Sequence, residues 1–424
     1  MLIAGQILMV LTLVLMVSGR TPLYTTAIVG STIAALVAGI PITGEAEVTV
    51  KNLVIGGLNP VIADMAGVLM FIGAMEYSGY LQVIINWIVR SGSKIGGGAG
   101  VAAAGGIAAG GIGAFTGFTQ PAITAAITGP ASVRLGADPN QSAGTHAHAG
   151  HIGNFAGFTH PTNLAVLATT GIAFGLFNVY ALIVGLSIFA LSFFRMRATI
   201  RRHDVQLTDA EKADAVAAFQ RKPGDPHELI ALLPFLLLVV GFAVGYPVFV
   251  VGTVVSVLVM IMSRKGPAAV ERAMLASVER VAVPLIATVG FLYMSGVLRS
   301  VGITDYLADW FNPLLDVAPV LTMFVVAGLA GLLTQSNSAS LAIVLPFLEV
   351  VVTHDVRMMG LALVAAGAPA IMQYFLTGGP VAALATTIPV VPGSDLKAAN
   401  RFQRPSQLVG MAVLAVLGVT LGGL

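Results

Sequence analysis

The sequence contains no cysteine and very little charge. Its 424 residues include two tryptophans, and only 9% of them are charged. Without cysteine the chain cannot form disulfide bonds, thiolate metal sites or a cysteine nucleophile. A soluble globular domain carries about 25% charged residues, so this chain has too few to cover a water-facing surface. The composition therefore excludes a soluble enzyme, a nucleic-acid binder and a disordered chain.

Apolar residues dominate the chain from end to end. Hydrophobic residues make up 57% of the sequence, and the mean hydropathy is +0.92. This composition predicts an all-α polytopic membrane protein. Because a helix needs about 20 apolar residues to cross the bilayer, we searched for stretches near that length. Candidate crossings lie near residues 2–18, 24–41, 61–78, 143–171, 174–195, 228–246, 247–263, 281–299, 357–388 and 405–424.

Polar residues interrupt two further apolar stretches, 98–133 and 317–352. We interpret these stretches as re-entrant hairpins, each of which enters and leaves the membrane on one side. The first apolar run lacks a preceding basic residue, so it is expected to be a span and not a signal peptide. With the N-terminus outside, 18 of the 21 basic residues fall on the cytoplasmic side, as the positive-inside rule requires. Residues 197–227 are then predicted to form a solvated cytoplasmic linker.

Short sequences recur in order at an offset of 217 or 218 residues. FIGAMEYSG at 71–79 matches TVGFLYMSG at 288–296, and GAFTGFTQPA at 113–122 matches GLLTQSNSAS at 331–340. A third match, LATT, follows at the same offset. The pattern predicts two repeats, 1–196 and 228–424, each with about five transmembrane helices and one hairpin. An odd number of crossings would insert the second repeat upside down, as in many secondary transporters.

Four helix breaks are predicted at membrane depth. Two are the hairpin tips, and two interrupt the long spans 143–171 and 357–388, at residues 157–163 and 377–380. Helix N-termini at such breaks attract anions, and freed carbonyl and hydroxyl oxygens can coordinate Na⁺. For any single hydroxyl, the alternative is a bond to its own helix. The candidate substrate- and ion-binding residues are Thr116, Thr119, Gln120, Thr159, Thr162, Asn163, Thr334, Ser336, Asn337, Ser338, Thr377, Gly378 and Gly379.

Histidines cluster just before and within the first broken span, at His146, His148, His151 and His160. A transition-metal site usually requires three or four convergent ligands, whereas this spacing places only two on one helix face. Packing, proton coupling and metal binding are all open roles, with proton coupling favoured over metal because histidine titrates near neutral pH. The candidate coupling residues are His151, His160 and Glu76. The sequence has no HExxH, Walker or GxSxG motif, so we expect no enzyme activity.

The layout resembles the ion transporter superfamily. That group includes divalent-anion/sodium symporters, gluconate and C4-dicarboxylate permeases, and the large membrane subunits of tripartite (TRAP) transporters. Ser336-Asn337-Ser338 is similar to the Ser-Asn-Thr hairpin motif of the divalent-anion branch, which touches substrate carboxylate and Na⁺. The first hairpin has Thr119-Gln120-Pro121 instead. The resemblance implies two inverted repeats and an elevator-type motion.

These observations predict a secondary active transporter of a small organic anion of the carboxylate class, driven by Na⁺ or H⁺ and needing no other cofactor. The expected partners are the lipid bilayer and a second copy of the chain in a homodimer, with no nucleic acid. The expected location is the bacterial cytoplasmic (inner) membrane. One alternative is the membrane subunit of a binding-protein-dependent, TRAP-like system. Another is a metal or cation/proton exchanger that uses the histidines.

Overall fold

The computed structural model describes residues 1–18, 21, 23–56, 60–116, 121–203, 208–244, 246–279, 282–376 and 382–423. Helices make up 81% of these described residues, which contain no strand. The all-α prediction is therefore confirmed. No membrane is part of the structure, so the number of crossings and the orientation stay predictions.

The described part of the first half forms ten helices. They are α1 (Leu2–Ser18), α2 (Leu23–Ala38), α3 (Val50–Gly56), α4 (Pro60–Ser78), α5 (Tyr80–Thr116), α6 (Pro121–Arg134), α7 (Pro139–Ala147), α8 (Ala149–Gly153), α9 (Pro161–Thr170) and α10 (Leu176–Arg202). Helix α5 bends at Gly97, which has a φ of 55° and a ψ of −129°. Glycine adopts this backbone conformation readily because it has no Cβ, and the predicted hairpin begins one residue later.

The remaining helices belong to the linker and the second half. They are α11 (Asp209–Ala215), α12 (Glu228–Ala243), α13 (Val248–Ser263), α14 (Pro267–Glu279), α15 (Ala282–Ser300), α16 (Ile303–Leu315), α17 (Pro319–Thr334), α18 (Asn337–Val351), α19 (Met358–Met372), α20 (Ala382–Thr387) and α21 (Leu396–Gly422). Short 3₁₀ turns occupy Ala217–Phe219 and Ile388–Val390. The predicted inverted orientation of this half is not tested by the structure.

Three helices are individually long and apolar enough to cross a membrane. Among the described residues these are Tyr80–Phe115, Leu176–Arg202 and Leu396–Gly422. The pair Leu285–Ser300 and Ile303–Leu315, bent by 79°, would make a fourth span. Eight further apolar helices are 10–17 residues long. An α-helix rises about 1.5 Å per residue, so each of these is shorter than the roughly 30 Å hydrocarbon core.

The predicted span 143–171 is not one continuous helix. Helices α7 and α8 end at Gly153, residues 154–160 are irregular, and α9 resumes at Pro161. The break was predicted at 157–163, and it lies three residues earlier because Pro161 takes the first helical position of α9, where proline is favoured. Helix α19 ends at Met372, before the second predicted break, and Thr377–Pro380 lie outside the described residues.

The helices pack into two groups that each draw on both halves of the chain. In the first group α1, α2 and α4 pack with α13, α14 and α15. Helix α4 crosses α13 where Gly67 faces Gly252, so closely that a Cβ on Gly252 would overlap the Gly67 backbone. In the second group the two hairpins pack with the broken helices, α10 and α21. We call these the scaffold group and the hairpin group.

The linker departs from its prediction as a solvated segment. Helix α10 continues to Arg202, and the segment after α11 buries Val216 and Phe219 against the first hairpin, beside Val101 and Leu135. Arg90 donates to the Phe219 carbonyl at 2.7 Å and pairs with Glu228 at the start of α12. Because burial of apolar area favours docking, this part of the linker is held against α5 and α6.

Candidate functional site

The first helix break is buried, and asparagine side chains bind its backbone carbonyls. Asn163 donates both amide hydrogens, one to the Phe155 carbonyl and one to the Gly157 carbonyl, each at 2.8 Å. Asn178 on α10 donates to the Ala156 carbonyl at 3.0 Å. A buried carbonyl without a partner is costly. These two side chains therefore replace the hydrogen bonds that an unbroken helix would make.

His160 forms the N-cap of α9 and faces the second hairpin. Its Nδ1 accepts the Thr162 backbone N–H at 3.3 Å and lies 3.3 Å from Nδ2 of Asn337. A backbone N–H can only donate, so Nδ1 carries no proton and Asn337 must present its NH₂ group. This contact joins the first broken helix to the tip of the second hairpin.

Two further contacts hold the tip of the second hairpin. The Asn337 backbone N–H donates to Oε1 of Gln373, at the end of α19, at 3.0 Å. The Thr162 hydroxyl donates to the Asn337 carbonyl at 3.0 Å. The turn itself is only Gln335 and Ser336, with Gln335 at a φ of 49° and the Ser336 hydroxyl capping α18 through the Ala339 N–H at 3.2 Å. Asn337 is thus fixed by both broken helices.

Three buried oxygen atoms at this centre have no hydrogen-bond donor among the described residues. They are Oγ1 of Thr159, Oδ1 of Asn163 and Oδ1 of Asn337, and their residues are at most 2% exposed. Buried polar atoms nearly always have partners. Oxygen acceptors of this kind suit a hard cation, a water molecule or a donor group of a bound solute.

The structure describes some of the other predicted site residues and not the rest. The Thr334 hydroxyl donates to the Ala330 carbonyl of its own helix at 2.8 Å, and Ser338 is half-buried in the first turn of α18. Thr116 ends α5, and its side chain lies outside the description. The predicted residues outside the described ranges are Thr119, Gln120, Thr377, Gly378 and Gly379.

The three coupling candidates lie in different places. His160 belongs to the centre just described, and His151 is fully buried in α8. Glu76 is exposed near the end of α4, where it lines a cavity of about 450 Å³ together with Arg272. The structure therefore brings His160, but not Glu76, to the Asn337 contact. Within the described residues no three His, Asp or Glu side chains are grouped closely enough to hold a metal ion.

Sequence reasoning missed Gln373 and Asn178. Each is a single amide side chain in an otherwise apolar stretch, IMQYF and LFNVY. Polar side chains inside membrane helices are uncommon and usually face the protein interior. That signal was available in the sequence, but only the fold shows which carbonyl or N–H group each amide binds.

No family model and no curated protein matches the chain. Solved structures do match over nearly its whole length. The YdaH transporter of Alcanivorax borkumensis, described as having an unusual topology, is 16% identical with a TM-score of 0.56, and the match covers 98% of both chains. MtrF of Neisseria gonorrhoeae, from a class of antimetabolite efflux pumps, is 12% identical with a TM-score of 0.60, covering 98% of this chain and 94% of MtrF. The chain shares the fold of these two transporters.

Proposed function

We propose that the protein is a secondary active transporter of a small organic anion, coupled to Na⁺ or H⁺. One observation carries the proposal. His160 and Thr162 from one broken helix, Asn337 from a hairpin tip and Gln373 from the end of α19 meet at a buried centre. The fold shared with two solved transporters supports transport as the activity.

The geometry of the helix ends favours an anionic solute. Helices α9 and α18 begin at Pro161 and Asn337, and the His160–Asn337 contact brings these two N-termini together. Each N-terminus carries about half a positive charge, and two such ends repel in a buried environment. A carboxylate bound between them would relieve the repulsion.

The unpartnered oxygens support a cation at the same centre. Oδ1 of Asn163 and Oδ1 of Asn337 are neutral acceptors, and neutral oxygen ligands can hold Na⁺ beside a bound carboxylate. Such an arrangement would let an ion gradient drive the solute. Under H⁺ coupling, water or the solute itself would donate hydrogen bonds to these oxygens.

Movement of the hairpin group against the scaffold group would provide alternating access. The residues of the centre lie on α9, α18 and α19, and these helices pack with one another. A rigid displacement of the hairpin group would carry the whole centre across the membrane. This is the elevator motion predicted from the layout.

Solute counterflow in proteoliposomes tests the proposal, because counterflow reports transport whichever direction the cell uses. Liposomes loaded with unlabelled gluconate, succinate or citrate should accumulate the corresponding ¹⁴C-labelled anion. Repeating the assay with Na⁺ or with choline identifies the dependence on Na⁺. If none of these anions, nor any other carboxylate in a thermal-shift screen of the purified protein, is bound and exchanged, the proposed function is wrong.

The substitution Asn337→Ala tests the location of the site. It removes the amide that faces His160 but keeps the backbone bonds to Gln373 and Thr162, so folding should persist. We expect counterflow to fall by about tenfold or more, as for the loss of roughly 1.4 kcal/mol of binding. Asn52→Ala is the matched control, because Asn52 is exposed and its side-chain amide donates to the Glu47 carbonyl at 3.3 Å. Near-normal exchange by Asn337→Ala would place the site elsewhere.

A further inference from the structure

A column of buried polar side chains runs along α7 and α8, outside the centre described above. It comprises Ser142, His146, His148, His151 and Asn154, all buried. Twelve residues of helix cover about 18 Å, so the column extends from the start of α7 to the first helix break. Helix α7 begins beside the last turns of α10, which carry Arg201 and Arg202. There Gln141 donates to the Thr199 hydroxyl of α10 at 3.1 Å.

The outer half of the column is hydrogen-bonded to neighbouring helices. Nε2 of His146 lies 2.6 Å from the Thr128 hydroxyl. Nε2 of His148 lies 2.7 Å from the Ser192 hydroxyl, which in turn lies 2.7 Å from the Ser406 hydroxyl. Two serines on different helices thus lead to one nitrogen of His148.

The inner half continues from ring to ring. The His148 and His151 rings have centroids 5.4 Å apart, and His151 stands edge-on to Tyr374 at 5.3 Å. The Tyr374 hydroxyl accepts from Asn154 at 2.8 Å. The column therefore ends at the first helix break and at Tyr374, which follows Gln373 at the end of α19.

Several polar atoms along the inner half form no hydrogen bond of ordinary geometry with the residues that the structure describes. They are Nδ1 of His148, both ring nitrogens of His151, and Oε1 of Gln403, whose amide nitrogen donates to the Tyr374 carbonyl at 3.0 Å. Each unsatisfied buried group costs about 1–3 kcal/mol. Such a concentration in one region is typical of a path that bonds to water rather than of a dry core.

The column is linked to the hairpin tip through one backbone carbonyl. His151 approaches the carbonyl of Ala370, and that carbonyl accepts Nε2 of Gln373 at 3.0 Å. The other end of the Gln373 amide accepts the Asn337 N–H at 3.0 Å. Protonation of His151 would therefore affect Gln373, which binds the Asn337 N–H at the tip of the second hairpin.

The titratable and charged groups around the pair come from three neighbouring elements. His146 lies on α7, Tyr374 follows α19, and Arg195 lies on α10 one turn beyond Ser192. The Arg195 guanidinium donates to the Phe402 carbonyl and lies 4.6 Å above the Phe402 ring.

We propose that His148 and His151 form a proton path that couples H⁺ to the hairpin tip, which rests on the transport function proposed above. In a concerted relay, a proton from water beyond Ser406 replaces the Ser406 hydroxyl proton, which passes to Ser192, while Ser192 passes its own hydroxyl proton to Nε2 of His148. Each serine gains a proton as it loses one, so neither becomes an alkoxide. The imidazolium then releases its Nδ1 proton through water to His151, and His148 is neutral again. Protonated His151 donates to the Ala370 carbonyl and competes there with the Gln373 amide nitrogen. The Gln373 side chain is then less fixed, which weakens its bond to the Asn337 N–H.

Hydrogen–deuterium exchange at the imidazole C2 position tests the path without any substrate. Purified protein in nanodiscs is incubated in D₂O from pH 5 to 9, and each histidine is read by mass spectrometry. Exposed His227 serves as the internal reference. We expect pH-dependent exchange at both His148 and His151. Absence of exchange at both over several days would overturn the proposal and indicate dry packing.

Two variants separate the path from general hydration. His148→Gln keeps a hydrogen-bonding group toward Ser192 but cannot relay a proton, and it should slow exchange at His151 by about tenfold. His354→Gln is the control, because His354 lies after α18 and contacts the Val350 carbonyl; it should leave exchange at His151 unchanged. If the two variants changed exchange at His151 equally, the proposed proton path would be wrong.

The coupling role is read in the same proteoliposomes with ¹⁴C-labelled gluconate, succinate and citrate. His148→Gln should keep counterflow but lose accumulation driven by a pH gradient. Retained pH-driven accumulation in this variant would overturn the coupling role. If the native protein shows counterflow of none of the three anions, both the transport function and the coupling role are wrong. The hydrogen–deuterium exchange experiment still tests the proton path in that case.

Discussion

At the scale of single residues, amide side chains replace the backbone partners that the broken helices lose. Asn163 and Asn337 could be selected from the sequence because each stands in a polar motif beside a proline or a hairpin turn. Gln373 and Asn178 could not be selected in the same way, because each stands alone between apolar residues. Their partners, the Asn337 N–H and the Ala156 carbonyl, are far away in the sequence and become neighbours only on folding.

Asn163→Asp should destabilise the fold. The substitution keeps the shape of the side chain but removes both N–H donors, and it turns a carboxylate oxygen toward the Phe155 and Gly157 carbonyls. Two buried carbonyls would lose their partners, at about 1–3 kcal/mol each. Thermal unfolding in detergent should show a clearly lower midpoint than for the native chain. The exposed Asn52→Asp is the control, and equal midpoints for the two variants would contradict the capping role of Asn163.

At the scale of helices, the sequence predicted which helices and breaks exist better than it predicted the residues at which they begin and end. The 98–133 hairpin agrees with the bend at Gly97 and with the helices on either side of residues 117–120. The first break was placed three residues late, because the proline was taken as part of the break and not as the start of α9. The packing of the linker against the first hairpin was not predicted. Val216 and Phe219 are too few apolar residues to form a recognisable amphipathic pattern in the sequence.

Contact between helix backbones makes Gly252 intolerant of a side chain. A Cβ there would overlap Gly67 on α4, whereas a Cβ on Gly111 of α5 meets nothing within 4 Å. Gly252→Val should lower the free energy of unfolding by about 1–3 kcal/mol or more, because rigid backbone cannot yield. Gly111→Ala should be neutral or slightly stabilising. The comparison is made by denaturant unfolding in detergent, and a stable Gly252→Val protein would refute the α4–α13 crossing.

The linker helix should loosen in acid. The Thr208 backbone N–H and hydroxyl both bond the Glu211 carboxylate at 2.8 Å, which lowers the pKa of Glu211 from its usual 4.5. A lowered pKa in the folded state stabilises α11 fully above pH 4.5 and loses that effect as the pH falls through the lower value. Amide exchange of residues 209–215, corrected for intrinsic rates, should therefore rise in acid. Glu211→Gln should remove this pH dependence, and an unchanged profile would contradict the cap.

At the scale of the whole molecule, the scaffold group, with α12 packed on α13, meets the hairpin group along a mostly apolar boundary. The boundary also contains bonds from Ser295 and Arg299 of α15 to the Glu349 carboxylate of α18. Phe115 on the hairpin side of α5 packs against Phe235 of α12, with ring centroids 5.3 Å apart. A cavity of about 240 Å³ next to this contact is lined by both groups, including Ile152 and Leu238. Apolar contacts lack the directional bonds that would fix one register, so the Phe115–Phe235 part of the boundary suits a sliding motion. The bonds to Glu349 would have to break during that motion.

The absence of cysteine from the chain allows that motion to be tested with introduced pairs. Phe235 touches Phe115 across the boundary and Phe71 of α4 within the scaffold, at centroid distances of 5.3 and 5.0 Å. Cysteine pairs at 115 and 235, or at 71 and 235, can each be joined by a short bifunctional methanethiosulfonate. If the groups move past each other, the first link should stop counterflow until dithiothreitol releases it, whereas the second should have little effect. Full exchange with the first link in place would mean that the groups do not slide, and the elevator motion would have to be abandoned even if the site at Asn337 is correct.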